Sequence, residues 1–127
     1  MMIKFGHLFL ELTESSREKL LKHYPPKFSE VFAKHISLEH GLLSENEYQV
    51  SNVVVIGYQS TSYLDVLVVE IDGSCMRLSD KKLLHITLSA KPGIAPVCSN
   101  DVLTELLYQP SNQRLPLDIQ LKAKYFN

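Results

Sequence analysis

His35 and Ser37 stand two residues apart in AKHISLEHG, and 50 residues later His85 and Thr87 repeat the arrangement in LLHITLSAK. On an extended strand, side chains two apart share a face at roughly 6.5–7 Å. Each histidine therefore points the same way as its hydroxyl, while Ile36, Leu38, Ile86 and Leu88 turn to the core behind. If the two strands lie near each other, four polar groups converge on one concave surface. That set suits in-line hydrolysis of a phosphodiester, which needs a base on the attacking water and an acid on the departing oxygen. Histidine titrates near neutral pH and can take either part. Hydroxyls can donate to the non-bridging oxygens, where negative charge accumulates in the transition state. A lone histidine in an alternating strand is more often structural, and it is the repetition that points to chemistry.

The elements that must position these groups follow from periodicity. IKFGHLFLELT (3–13) alternates as a strand, with Gly6, Leu8, Leu10 and Leu12 on one face. SSREKLLKHY (15–24) reads as a helix opened by a Ser15–Glu18 capping box and stopped by Pro25 and Pro26. VFAKHISLEH (31–40) is the next strand. QVSNVVVIGY (49–58) and YLDVLVVEID (63–72) form a hairpin of β-branched runs, and LLHITLSA (83–90) carries the second motif. SNDVLTELLY (99–108) reads as a second helix capped by Ser99, and LPLDIQLKAKYF (115–126) as a final strand. Each half thus contributes one helix and one histidine strand. No Gly-, Ser- or Pro-rich linker divides them, so residues 1–127 are expected to form one domain with internal pseudo-symmetry.

Composition excludes several other classes. Hydrophobic residues make up 45% and charged residues 21% of the 127-residue chain, an ordinary globular balance. A formal net charge of −1 supplies no global field for duplex DNA or RNA, so any polyanion must meet a local positive site. Cys75 and Cys98 offer neither a disulfide framework nor metal-ligand spacing and read as reduced, small apolar residues. The opening MMIKFGHLFLELT is neither a signal-peptide core nor a membrane span. A cytoplasmic monomer without a membrane partner is the expectation.

With both motifs in view, HISL (35–38) and HITL (85–88), the chain resembles the 2H phosphoesterase superfamily. Within it the likeness is greatest to the cyclic phosphodiesterase domain of fungal and plant tRNA ligases. It is carried by KHISLEH, by the hairpin running to VLVVEIDG, and by LLHITLSAKPGIAPVCSNDVL. The resemblance implies a bilobal, pseudo-symmetric α/β fold of the α+β type, with antiparallel sheets, two main helices and both motifs on central strands. It also implies RNA processing or repair chemistry without metal or cofactor: opening of a 2′,3′-cyclic phosphate, in the tRNA-ligase group to a 2′-phosphate. The chain departs from that family in its shortness, in the closeness of its motifs, and in Ser37 where threonine is common.

The implied catalytic pair is His35 and His85, with Ser37, Thr87 and Lys91 binding phosphate. Lys91 follows the second motif directly; Lys34 and Lys82 read as solvated. Tyr58 and Tyr63 are candidates to stack a nucleobase. His40, five residues from His35, is expected on the opposite side of its strand. His23 ends a helix, where it suits the dipole, and His7 fits either a cleft or an outer face. The partner is an RNA end with a 2′,3′-cyclic phosphate or a small cyclic-phosphate nucleotide. Cleavage of 2′–5′-linked or cyclic oligonucleotides in antiviral signalling is the rival within this class, and a non-catalytic nucleotide- or RNA-end-binding module the rival outside it. A histidine metal site is weaker, for want of a carboxylate or cysteine at ligand spacing.

Overall fold

The computed structural model describes residues 4–44, 47–95, 99 and 109–126, with backbone alone over 109–113. The chain runs β1 (Phe5–Leu12), α1 (Glu14–His23), β2 (Glu30–Val31), β3 (His35–Leu42), β4 (Val53–Ser60), β5 (Leu64–Ile71), β6 (His85–Ala90), β7 (Gln109–Pro116) and β8 (Ile119–Tyr125). Among the described residues every strand pairing is antiparallel. Two sheets result, one of three strands in the order β3-β1-β8 and one of five in the order β2-β6-β5-β4-β7. With one helix among the described residues, this is a mixed, α+β arrangement. The second expected helix, 99–108, lies outside the described residues apart from Ser99. No described helix is long and apolar enough to cross a membrane.

Local chemistry explains most of the elements. α1 is capped by Thr13, whose hydroxyl accepts from the Ser16 amide at 3.3 Å, so the cap lies two residues before the expected Ser15. Glu14 in its first turn and Lys22 and His23 in its last complement the helix dipole. β5, the middle strand of five, is buried on both faces because an apolar cluster packs on each. Its Leu67 and Val69 enter the main core, while Leu64, Val66 and Val68 enter a smaller second one.

Two runs read from periodicity as single strands are each split between the sheets. The first pairs with β6 through Glu30 and Val31, continues with the Phe32 and Ala33 amides on the Leu88 and Thr87 carbonyls, and then joins β1 from His35. The turning point is Ala33, fully buried with a φ of 52°. The last run likewise leaves β4 at Pro116, and Leu117 and Asp118 carry it across to β1 as β8. An alternation of two records which residues are buried and is silent on which neighbour supplies the hydrogen bonds.

Candidate functional site

The core behind the motifs is one cluster: Ile36 and Leu38 from β3 pack with Ile86 and Leu88 from β6, together with Leu10, Leu67 and Val69. Burying this face against a shared core leaves His35, Ser37, His85 and Thr87 on the other side. All four line a single open cleft of about 750 Å³. Their strands belong to different sheets, and the crossing at Ala33 brings those sheets together beside Thr87.

The two histidines occupy unlike environments. His35 is half exposed, with Nε2 3.8 Å from a Glu11 carboxylate oxygen and its ring 4.6 Å from that of Phe9. Burial lowers its pKa, Glu11 acts to raise it and Lys34 to lower it, and the net displacement is downward. His85 is largely buried, and its Nδ1 lies 3.0 Å from the Leu83 carbonyl oxygen. A carbonyl only accepts, so Nδ1 carries the proton and the neutral ring presents an Nε2 lone pair. Burial is the main cause of its lowered pKa; the Leu83 bond and Asp80 oppose that shift and Arg77 adds to it.

Each hydroxyl has a fixed neighbour. Ser37 Oγ lies 2.8 Å from His7 Nε2, which puts His7 in the cleft rather than on the outer face. His7 has its pKa lowered first by burial and then by His40, His35, Arg77 and Lys124. Thr87 Oγ1 lies 2.7 Å from the buried Ser99 Oγ. The opposite wall comes from the turn before β6. There Arg77, almost fully buried, makes a two-pronged pair with Asp80, at 3.0 and 2.8 Å, and both line the cleft. A Ser79 hydroxyl donating to the Leu38 carbonyl at 2.8 Å ties this turn to β3.

Several sequence expectations need correction. His40 is not on the far side of its strand. Opposite β1, Ser37 pairs with Phe9 and Glu39 with Leu8, so Leu38 is the extra residue of a β-bulge. The bulge turns Leu38 and Glu39 both inward and returns His40 to the face of His35. His40 and His7 are paired residues with ring centroids 5.4 Å apart. Glu39 is buried instead and accepts from the Ser44 amide and hydroxyl and from Tyr48.

Lys91 is exposed and outside the cleft lining, where Lys34 and Lys82 stand instead. It follows β6 at the end away from His85, and at about 3.3 Å per residue that places it roughly 20 Å along the chain. Tyr58 and Tyr63 do not line the cleft either. Tyr58 stacks on Tyr24 at 6.0 Å against the core, and Tyr63, just before β5, accepts from the Lys91 amide through its carbonyl. Cys75 is a free, half-buried thiol, and Cys98 lies outside the described residues. Among the described residues no group of three or more His, Cys, Asp or Glu is placed to hold a metal ion.

Arg77 and Asp80 carry no motif that would single them out, since their approach to the site depends on a turn, and Ser99, read from the sequence as a helix cap, is found beside Thr87. Compared with known protein families, with curated proteins and with solved structures, the chain finds no match.

Proposed function

We propose that the protein is a metal-independent phosphoesterase opening a 2′,3′-cyclic phosphate, at an RNA end or on a small nucleotide. The observation that supports this best is that both His–apolar–hydroxyl pairs line one cleft over one shared core. In this reading the two sheets are the lobes of a bilobal 2H phosphoesterase fold.

The environments of the histidines suggest their roles. His85, neutral with its Nε2 lone pair available, takes a proton from the attacking water. The new P–O bond forms as the P–O3′ bond breaks, and His35 in its protonated form delivers a proton to O3′, leaving a 2′-phosphate. Glu11 beside His35 favours that protonated form, and an arriving phosphate monoanion favours it further. Ser37 and Thr87 donate to the non-bridging oxygens, and Arg77, Lys34 and Lys82 supply positive potential at the cleft wall. Each positioned proton transfer contributes about 10²–10⁴-fold in rate.

The test is incubation with 2′,3′-cyclic AMP and with RNA ending in a cyclic phosphate, followed by identification of the product isomer. A 2′-phosphate formed equally well in EDTA is the expected result. Tight binding of the cyclic nucleotide with no turnover would instead make this a binding module. Loss of activity in EDTA, restored by zinc or manganese, would move the chemistry to a metal.

A further inference from the structure

The cleft continues onto an open sheet face. In the register of the three-stranded sheet, His40, His7 and Lys124 form one row, Ser37, Phe9 and Lys122 the next, and His35, Glu11 and Gln120 the third. Directly paired residues of antiparallel strands share a face. All nine therefore lie on the side opposite Leu10 and Ile36. Lys122 and Lys124 are exposed, and Lys124 is close enough to depress the pKa of His7.

Five rings run across this face without a break. His35 lies 4.6 Å from Phe9, Phe9 4.8 Å from His7, His7 5.4 Å from His40, and His40 5.4 Å from Phe126, which is exposed. Beside them the two lysines, two residues apart on β8, are spaced about 6.5–7 Å, comparable to one phosphate step of an extended strand. Glu11 is the carboxylate on this face, and it lies at the His35 end, next to Gln120 and two rows from Lys124. A surface of rings flanked by cations, joined to a cleft with its own lysines, matches what binds single-stranded nucleic acid without reading its sequence.

We infer that this face is a track for single-stranded RNA, so that the substrate is an oligonucleotide end rather than a free mononucleotide. This rests on the proposed phosphoesterase reading for the cleft itself. The terminal ribose enters the cleft, and the preceding nucleotides cross β1 toward β8, with bases over the rings and phosphates toward Lys122 and Lys124.

The experiment uses a fluorescein-labelled single-stranded hexaribonucleotide ending in a 3′-phosphate. Its binding is read by anisotropy over a salt series, for the wild type, for Lys122→Ala/Lys124→Ala and for Phe126→Ala. With two phosphate contacts removed, the slope of log K against log salt should shrink by about 1.4, and affinity should drop about tenfold or more. Phe126→Ala should weaken binding with the slope unchanged. Hydrolysis of 2′,3′-cyclic AMP should be unaffected by the lysine substitutions, while kcat/KM on a hexamer ending in a cyclic phosphate falls. A hexamer that binds no more tightly than a mononucleotide, or binds the lysine variant equally well, overturns the track. Turnover of cyclic AMP with no preference for the hexamer overturns the track and leaves the phosphoesterase reading standing. Lysine-dependent hexamer binding, with neither cyclic substrate opened, keeps the track and overturns that reading.

Discussion

Leu38 and Leu88, the fourth residues of the two motifs, are each the unmatched residue of a β-bulge, and both lie in the same core cluster. In β6, Thr87 pairs with Val66 and Ser89 with Asp65, just as Ser37 and Glu39 flank the bulge in β3. Each bulge drops the next polar residue into the interior, where it pins a loop. Glu39 accepts from the Ser44 amide at 2.7 Å, and Ser89 Oγ accepts from the Phe28 amide at 3.1 Å while donating to Asp65. The likeness between the halves thus extends past the four motif letters.

Glu39→Gln should therefore destabilise the fold while leaving the cleft's own groups in place. The amide cannot accept all three bonds from Ser44 and Tyr48, and a buried donor left unmatched costs about 1–3 kcal/mol. A lowered urea midpoint with an unchanged m-value is the expected reading.

His35→Ala and His85→Ala should each reduce kcat by about 10²–10⁴-fold with folding retained. Because acid and base serve one concerted step, the double variant should be little worse than either single one. Losses that multiply in the double variant would mean that the two rings act in separate steps.

The pH profile should be bell-shaped, with both limbs set by histidines whose pKa values are lowered. His85 must be neutral and His35 protonated, and both titrate below the ordinary value of about 6.5 in the free protein, so kcat/KM should peak on the acid side of that value. Glu11 acts to raise the His35 pKa. Glu11→Gln should therefore move the descending limb to still lower pH and leave the ascending limb alone.

In the opening of a cyclic mononucleotide, His7 should be needed only to hold the Ser37 hydroxyl. His7→Phe should match Ser37→Ala, each lowering kcat by about 10- to 150-fold, the equivalent of a hydrogen bond to a charged oxygen worth about 1.5–3 kcal/mol. The double variant should equal either single one. A His7 variant as impaired as His85→Ala would give His7 a direct part in proton transfer.

Gly6→Ala should loosen β8 from β1. A Cβ at Gly6 would meet the Lys124 carbonyl oxygen, a backbone atom that cannot swing aside. Overpacking of this kind costs about 1–3 kcal/mol. Chemical shifts in β8 should move most, and with them the alignment of Lys122 and Lys124.

That each histidine shares a face with its hydroxyl is legible because strand parity holds from His35 to Leu38 and from His85 to Leu88, whereas the meeting of the two strands at one cleft depends on the packing of two sheets. Beyond those residues the bulges reset parity, and so parity alone puts His40 on the wrong side. Only closeness in sequence or residue type recommends Lys91, Tyr58 and Tyr63. A strand carries its neighbours away at about 3.3 Å per residue, and Tyr58 finds a better partner in Tyr24. Arg77 lies in an irregular turn, where its aim is set by Asp80 and by its amide on the Lys82 carbonyl, neither of which shows as periodicity. The last run keeps its alternation through Leu117 and Asp118, so that crossing leaves no mark in the sequence, whereas the first breaks step between Ala33 and Ile36, which a reading of 31–40 as one strand passes over.

Those crossings at Ala33 and at Leu117–Asp118 also govern how the molecule comes apart. The same two backbones thread both sheets, and the cluster beneath the cleft draws side chains from both. Neither sheet can open alone without stripping hydrogen bonds and apolar cover from the other. The amides of Ile36 and Ile86, 50 residues apart, should then exchange with solvent at a common free energy, as members of one foldon. The cleft would persist or vanish as a whole, with no half-melted form that keeps one histidine in place.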